Sequence, residues 1–100
     1  MSKVSRLEVD HFSIPLPVVL SDSTHGDMSE FGLITVRLTD EEGAQGMGYT
    51  YTVGNIGGYA VASLIDRDLR GAVEQQNASD IEGIWERMWW RIHFCGRGGL

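Results

Sequence analysis

Few residues in this chain could do chemistry: three histidines, one cysteine, three tyrosines and a scatter of acids among 100 residues. Zinc binding has no spacing to support it, because His93 and Cys95 are two apart and would face away from each other on a helix. No serine stands in a nucleophile-elbow setting and Cys95 has no readable histidine partner, so a nucleophilic hydrolase has no residue set. What remains is hydrogen bonding to a polar ligand. The stretch AQGMGYTYTVGNIGG, residues 44–58, reads as a strand entering a glycine-rich loop that opens a helix. Period two puts Gln45, Met47, Tyr49, Tyr51 and Val53 on one face and Gly46, Gly48, Thr50 and Thr52 on the other. Glycines there let a ligand approach the backbone, or simply mark a bulge or tight packing. His25, Gly26 and Asp27 form a second polar group: a donor or acceptor, a hinge and a carboxylate, with a solvated loop tip as the plain alternative.

The elements that must position these groups follow from hydrophobic patterning. Residues 4–16 read as a strand whose apolar positions change phase, from Leu7 and Val9 to Phe12, Ile14 and Leu16, which calls for a bulge or bend near Asp10 and His11. His11, at that switch, reads as a hydrogen-bonded structural histidine before a catalytic one. Pro15 and Pro17 are expected to end the strand at a sheet edge, and residues 17–30 to form a long polar loop. Ile34, Val36 and Leu38 alternate with Thr35, Arg37 and Thr39 in a second strand, and Asp40-Glu41-Glu42-Gly43 turns the chain into an antiparallel third. The crowded acids of that turn read as a solvated hairpin tip and not as a cation site.

A helix fits residues 59–69, with Val61, Leu64, Ile65 and Leu69 on one face, Arg67 and Arg70 opposite, and Gly71 as its stop. Ser79 and Glu82 form a capping box for a second helix whose stripe is Ile81, Ile84, Trp85, Met88, Ile92 and Cys95, with Gly96 as its C-cap. Trp89 and Trp90 widen that stripe beyond what one sheet face needs, which implies an interface. The fold class is therefore α+β: a three-stranded antiparallel meander followed by two or more helices. Gly54, Gly57 and Gly58 between strand and helix do not have dinucleotide-loop spacing, and no parallel strand with a ribose-binding acid follows.

Composition narrows the partners. With 8 basic against 14 acidic residues and a net charge of −6, the chain has no basic cluster for a phosphate backbone, so nucleic acid is not expected. A lone cysteine argues against a disulfide framework, and no apolar stretch reaches the ~20 residues of a membrane span. The cytoplasm is the expected location.

The order of elements, the GYTYT strand with a loop behind it, the RMWW segment and CGRGGL together resemble the N-terminal capping domain of the mandelate racemase and muconate lactonizing enzyme family in the enolase superfamily. Within it, the polar first loop is most similar to that of acid-sugar dehydratases. The resemblance spans nearly all of residues 1–100 and implies that the catalytic barrel, with its Mg²⁺ ligands and bases, lies outside this sequence. It further implies a lid and specificity role in a dehydratase, racemase or cycloisomerase that removes a proton α to a carboxylate. The chain's own contribution would be two loops, residues 18–30 and 51–58, closing over a sugar acid, with His25, Asp27, Tyr51 and Asn55 as substrate-binding residues. No catalytic residue and no metal ligand is expected here, and a homo-oligomer is. The alternative is a free-standing α+β module that dimerises through its tryptophan-rich helix.

Overall fold

The computed structural model describes residues 2–24 and 26–95. Its sheet has the order β1-β2-β3, with β1 at Val4–Asp22, β2 at Gly26–Asp40 and β3 at Gln45–Val53, all antiparallel. The helical part follows: α1 at Gly58–Ser63, a π-helical stretch at Leu64–Leu69, α2 at Arg70–Val73, then α3 at Ile81–Arg91 and a 3₁₀ turn at His93–Cys95. This is the expected meander and helices. No helix among the described residues is long and apolar enough to cross a membrane.

Register explains the two sheet faces. Leu7 pairs with Leu38, Val9 with Val36 and His11 with Ile34, so these residues share the face that the helices cover. Glu8, Asp10, Phe12 and Ile14 lie on the opposite, open face with Arg37, Thr35, Leu33 and Phe31. The core is small: Val4, Leu7 and Val73 are buried together, with Val9, Val36, Leu38, Ile65, Ile84 and Met88 packed around them.

The expected bulge near Asp10 and His11 is absent, since pairing there is unbroken; the register shift instead falls between Val4 and Arg6. That displaced bulge puts Val4 and Leu7, three residues apart, on one face. The phase change at Phe12 is a change of face: Phe12 and Ile14 turn to the open side and stay exposed. Nor do the prolines end β1. The strand continues to Asp22, with Pro15 opposite Glu30 and a further register shift between Pro15 and Leu20. As an edge strand it can carry prolines, because their missing N–H groups face no neighbour. Residues 17–30 are thus mostly a two-stranded ribbon and not a long loop.

The first helical run also passes its expected stop, ending at Val73 instead of before Gly71. A Cβ at Gly71 would lie 3.4 Å from Arg91 Nη2, so the glycine there serves close packing of the Arg91 side chain. Arg70 is not on a solvent face: its Nη1 donates to the Leu7 carbonyl at 2.6 Å and to Glu74 Oε2 at 3.1 Å. Glu74 in turn accepts from Leu7 N–H at 2.9 Å, so the pair satisfies the free edge of β1. The Asp66 carboxylate, followed by Glu74, holds the Arg70 guanidinium more firmly protonated than usual. At α3 the cap is Asp80, which accepts from Gly83 N–H at 3.1 Å. Ser79 loses that role because its own N–H is taken by Asn77 Oδ1 at 3.1 Å. The C-cap expected at Gly96 lies outside the described residues; α3 ends on Ile92.

Candidate functional site

Both segments expected to face a ligand leave the same end of the sheet. β3 stops where Val53 pairs with Phe31, while β2 and β1 run on together to the turn between Asp22 and Gly26. Tyr51 lies opposite Leu33 on the open face, 57% exposed, its ring 5.3 Å from that of Phe31. Tyr49 and Met47 continue the same row towards the other end. The phenol thus sits on an apolar shelf with its hydroxyl available to a hydroxyl or carboxylate ligand, as donor or acceptor.

Asp27 lies in the ribbon, opposite Ser21, and is exposed. It is six residues along β2 from Leu33, roughly 20 Å at the rise of an extended strand. The chain alone therefore does not bring Asp27 and Tyr51 together. The ribbon tip is held locally: Asp22 Oδ1 accepts from Thr24 N–H at 2.9 Å. His25 lies outside the described residues.

Asn55 takes a third position. After β3 the chain turns sharply, with Gly54 at φ 64°, Asn55 at φ 56° and Gly57 at φ 80°. Asparagine tolerates this left-handed region better than most residues. Its carboxamide points away from the Tyr51 face, to the helix side, where Oδ1 lies 2.7 Å from His11 Nε2. A Cβ added to Gly32 or Gly58 would overlap Asn55 Oδ1, and one at Gly58 would also come within 2.6 Å of His11 Nε2. Tyr59 packs edge-on to the His11 ring at 4.6 Å. Beside this pair lies an open cleft of about 440 Å³, lined among others by Ser13, Tyr59, Asp66 and Arg67. Sequence reasoning left the His11–Asn55 pairing unseen. Its available signal was Gly32 inside an otherwise apolar strand, a small residue with no turn to explain it.

Among the described residues no three His, Cys, Asp or Glu side chains come together where they could hold a metal ion. On α3, Trp85 stacks on Trp89 at 6.3 Å and Trp89 meets Trp90 edge-on at 4.8 Å. Ile81, Trp85, Trp90 and Phe94 stay largely exposed.

No protein-family model matches the chain. A 3,6-anhydro-alpha-L-galactonate cycloisomerase of Streptomyces coelicolor is 56% identical over 96 residues, which is 96% of this chain and 26% of that protein. The crystal structure of a racemase from Streptomyces coelicolor with bound magnesium superposes with a TM-score of 0.92 at 56% identity, over 96% of this chain and 27% of the other. The chain has an enolase N-terminal-domain-like fold. L-talarate/galactarate dehydratase from Salmonella typhimurium shares this architecture at a TM-score of 0.84 and 18% identity, covering 96% of this chain and 25% of that one. The chain spans about a quarter of the length of the curated relatives it matches.

Proposed function

We propose that this chain is the lid and substrate-specificity domain of a Mg²⁺-dependent enzyme that removes a proton α to the carboxylate of a sugar-derived acid. The observation that carries the reading is the 56% identity, across nearly the whole chain, to a cycloisomerase named for an anhydro sugar acid. Cycloisomerisation and racemisation, the activities named for the two relatives at 56% identity, are accordingly favoured over dehydration. The metal ligands and bases belong to a barrel domain outside this sequence, and when bound the metal would supply stabilisation of the enediolate. The chain's own work is different. Tyr51 offers a hydrogen bond from a fixed strand end, and in the proposed enzyme Asp27 of the ribbon, with His25, would reach the same substrate from the first loop. Closure of both excludes water, which strengthens every charge interaction beneath. Exposed Ser21, Ser23 and Thr24 suit a polyhydroxylated ligand better than an aromatic one. The reading includes a cytoplasmic homo-oligomer, with the tryptophan surface of α3 available for packing.

A chimera tests it. Replacing the matching quarter of the Streptomyces coelicolor cycloisomerase with this chain should give a folded enzyme that turns over 3,6-anhydro-L-galactonate and needs Mg²⁺. A folded chimera that binds Mg²⁺ but acts on no sugar acid would exclude the reading.

A further inference from the structure

The turn at 54–57 is poorly held by its own backbone. Ile56 N–H reaches the Val53 carbonyl at 3.2 Å and Gly58 N–H the Asn55 carbonyl at 3.3 Å, both at the long end of hydrogen bonding. Asn55 also carries the cost of a left-handed backbone without being glycine. Three positions, two of them far away in sequence, nonetheless converge on its one carboxamide, and a fourth backs the first. His11 bonds it, Gly32 and Gly58 leave the space for it, and Tyr59 fixes the His11 ring from the side. His11 is itself mounted on firm ground, paired with Ile34, which is fully buried.

We propose that His11 is a positioning residue: through Asn55 it locks the 54–57 turn and thereby sets where Tyr51, three residues before that turn, meets the substrate. The inference rests on the lid reading above, because the turn matters to catalysis only if Tyr51 faces a ligand. His11 does not touch that ligand. It lies on the helix side of the sheet while Tyr51 lies on the open side, so its influence must pass through the turn. A histidine serves here because its ring is stiff and reaches from an edge strand with a single N–H aimed at Oδ1. A glutamine at the same place can offer an amide N–H in its stead.

The test uses three variants and two readouts. His11→Ala removes the donor, Asn55→Gly removes the acceptor while permitting the left-handed backbone, and His11→Gln retains a donor. In the 100-residue chain, ¹H–¹⁵N heteronuclear NOE values at residues 54–57 should fall in the first two variants and return towards the parent value in the third, with residues 33–37 unchanged. In the chimera, the first two should raise KM roughly three- to tenfold, the loss of one net hydrogen bond, with kcat within about twofold, and His11→Gln should restore KM. Unchanged NOE values at 54–57 in both disrupting variants would overturn the proposal. So would a loosened turn with unchanged KM. Should His11→Ala not fold, Asn55→Gly carries both readouts. An unsubstituted chimera without turnover would instead remove the lid reading and the Tyr51 part of the proposal with it, and the NOE values would still decide whether His11 locks the turn.

Discussion

The two segments that leave the sheet beside Tyr51 are held in opposite ways. Among the described residues the ribbon beyond Glu30 is fastened along its own length, by pairing of residues 20–22 of β1 with β2 and by the Asp22 carboxylate at its tip. The 54–57 turn is fastened across the fold, to His11 on β1, to the Glu30 carbonyl through Gly54 N–H at 2.9 Å, and into the space at Gly32. A locally held arm can bend without breaking anything else, whereas the turn cannot move without disturbing three strands. Under the proposed lid function the two segments would have different tasks: the ribbon would adapt to and cover a ligand, and the turn would hold one contact in a fixed place. Specificity changes should come most easily through the ribbon.

The largest expected effect attacks the fixed segment. Gly58→Ala would drive a methyl group into both Asn55 and His11, with backbone and a sheet-mounted ring behind them. A loss of about 3 kcal/mol is expected, the upper part of the overpacking range, read as a lower urea midpoint at unchanged slope. Gly26→Ala at the ribbon tip, where an added Cβ meets nothing, should cost only the strain of its φ of 72°, about 1 kcal/mol. Equal losses in the two variants would break the comparison.

Next come the ligand contacts, measured in the chimera. If the Asp27 carboxylate bonds a substrate hydroxyl, Asp27→Ala should lower kcat/KM roughly ten- to a hundredfold, the range of a hydrogen bond to a charge. Tyr51→Phe removes a neutral partner and should cost roughly two- to tenfold. The ribbon variant should change the ranking of sugar acids, while Tyr51→Phe lowers all of them together. Neither should alter the Mg²⁺ concentration needed for half activity. The reverse pattern, selectivity set at Tyr51, would show that the turn and not the ribbon discriminates.

The meander was legible in the sequence because Ile34, Val36 and Leu38 alternate cleanly and Asp40 and Gly43 bracket a turn; the structure has these pairings and Gly43 at φ 88°. Tyr51 and Asn55 were placed correctly in their strand and loop for the same reason. The ribbon was not legible, because Pro15 and Pro17 suggest a break unless the strand is known to lie at an edge. Long-range partners were also hidden. Nothing near Arg70 or Glu74 announces that they bond the Leu7 backbone, and nothing near His11 names Asn55, 44 residues away. Local spacing reports propensity and periodicity, but not which side chain closes a gap between elements.

The smallest expected effect concerns the third turn, at the opposite end of the sheet, which supplies a control for the other two. Asp40 Oδ1 accepts from the N–H groups of Glu42 and Ala44, both at 2.9 Å, while Glu41 N–H donates to the Lys3 carbonyl at 3.0 Å, so this turn is tied both within itself and to the start of the chain, and it lies far from Tyr51. Desolvation pushes the Asp40 carboxyl up, yet hydrogen bonds, led by those from the Ala44 and Glu42 N–H groups, outweigh it and hold it below its ordinary value of 3.8. A carboxyl depressed in the folded state stabilises the fold above its unfolded value, and that contribution fades as pH falls through the folded one. The wild-type chain should therefore lose slightly more stability than Asp40→Asn between pH 5 and the acid limit of folding. Equilibrium urea unfolding at a series of pH values would show it. In the chimera, kcat/KM of Asp40→Asn should equal that of the parent at neutral pH, because no connection runs from this turn to the open end of the sheet. A changed KM would mean that the bonds of this turn do reach the ligand, and the contrast between the two ends of the sheet would lose its functional meaning.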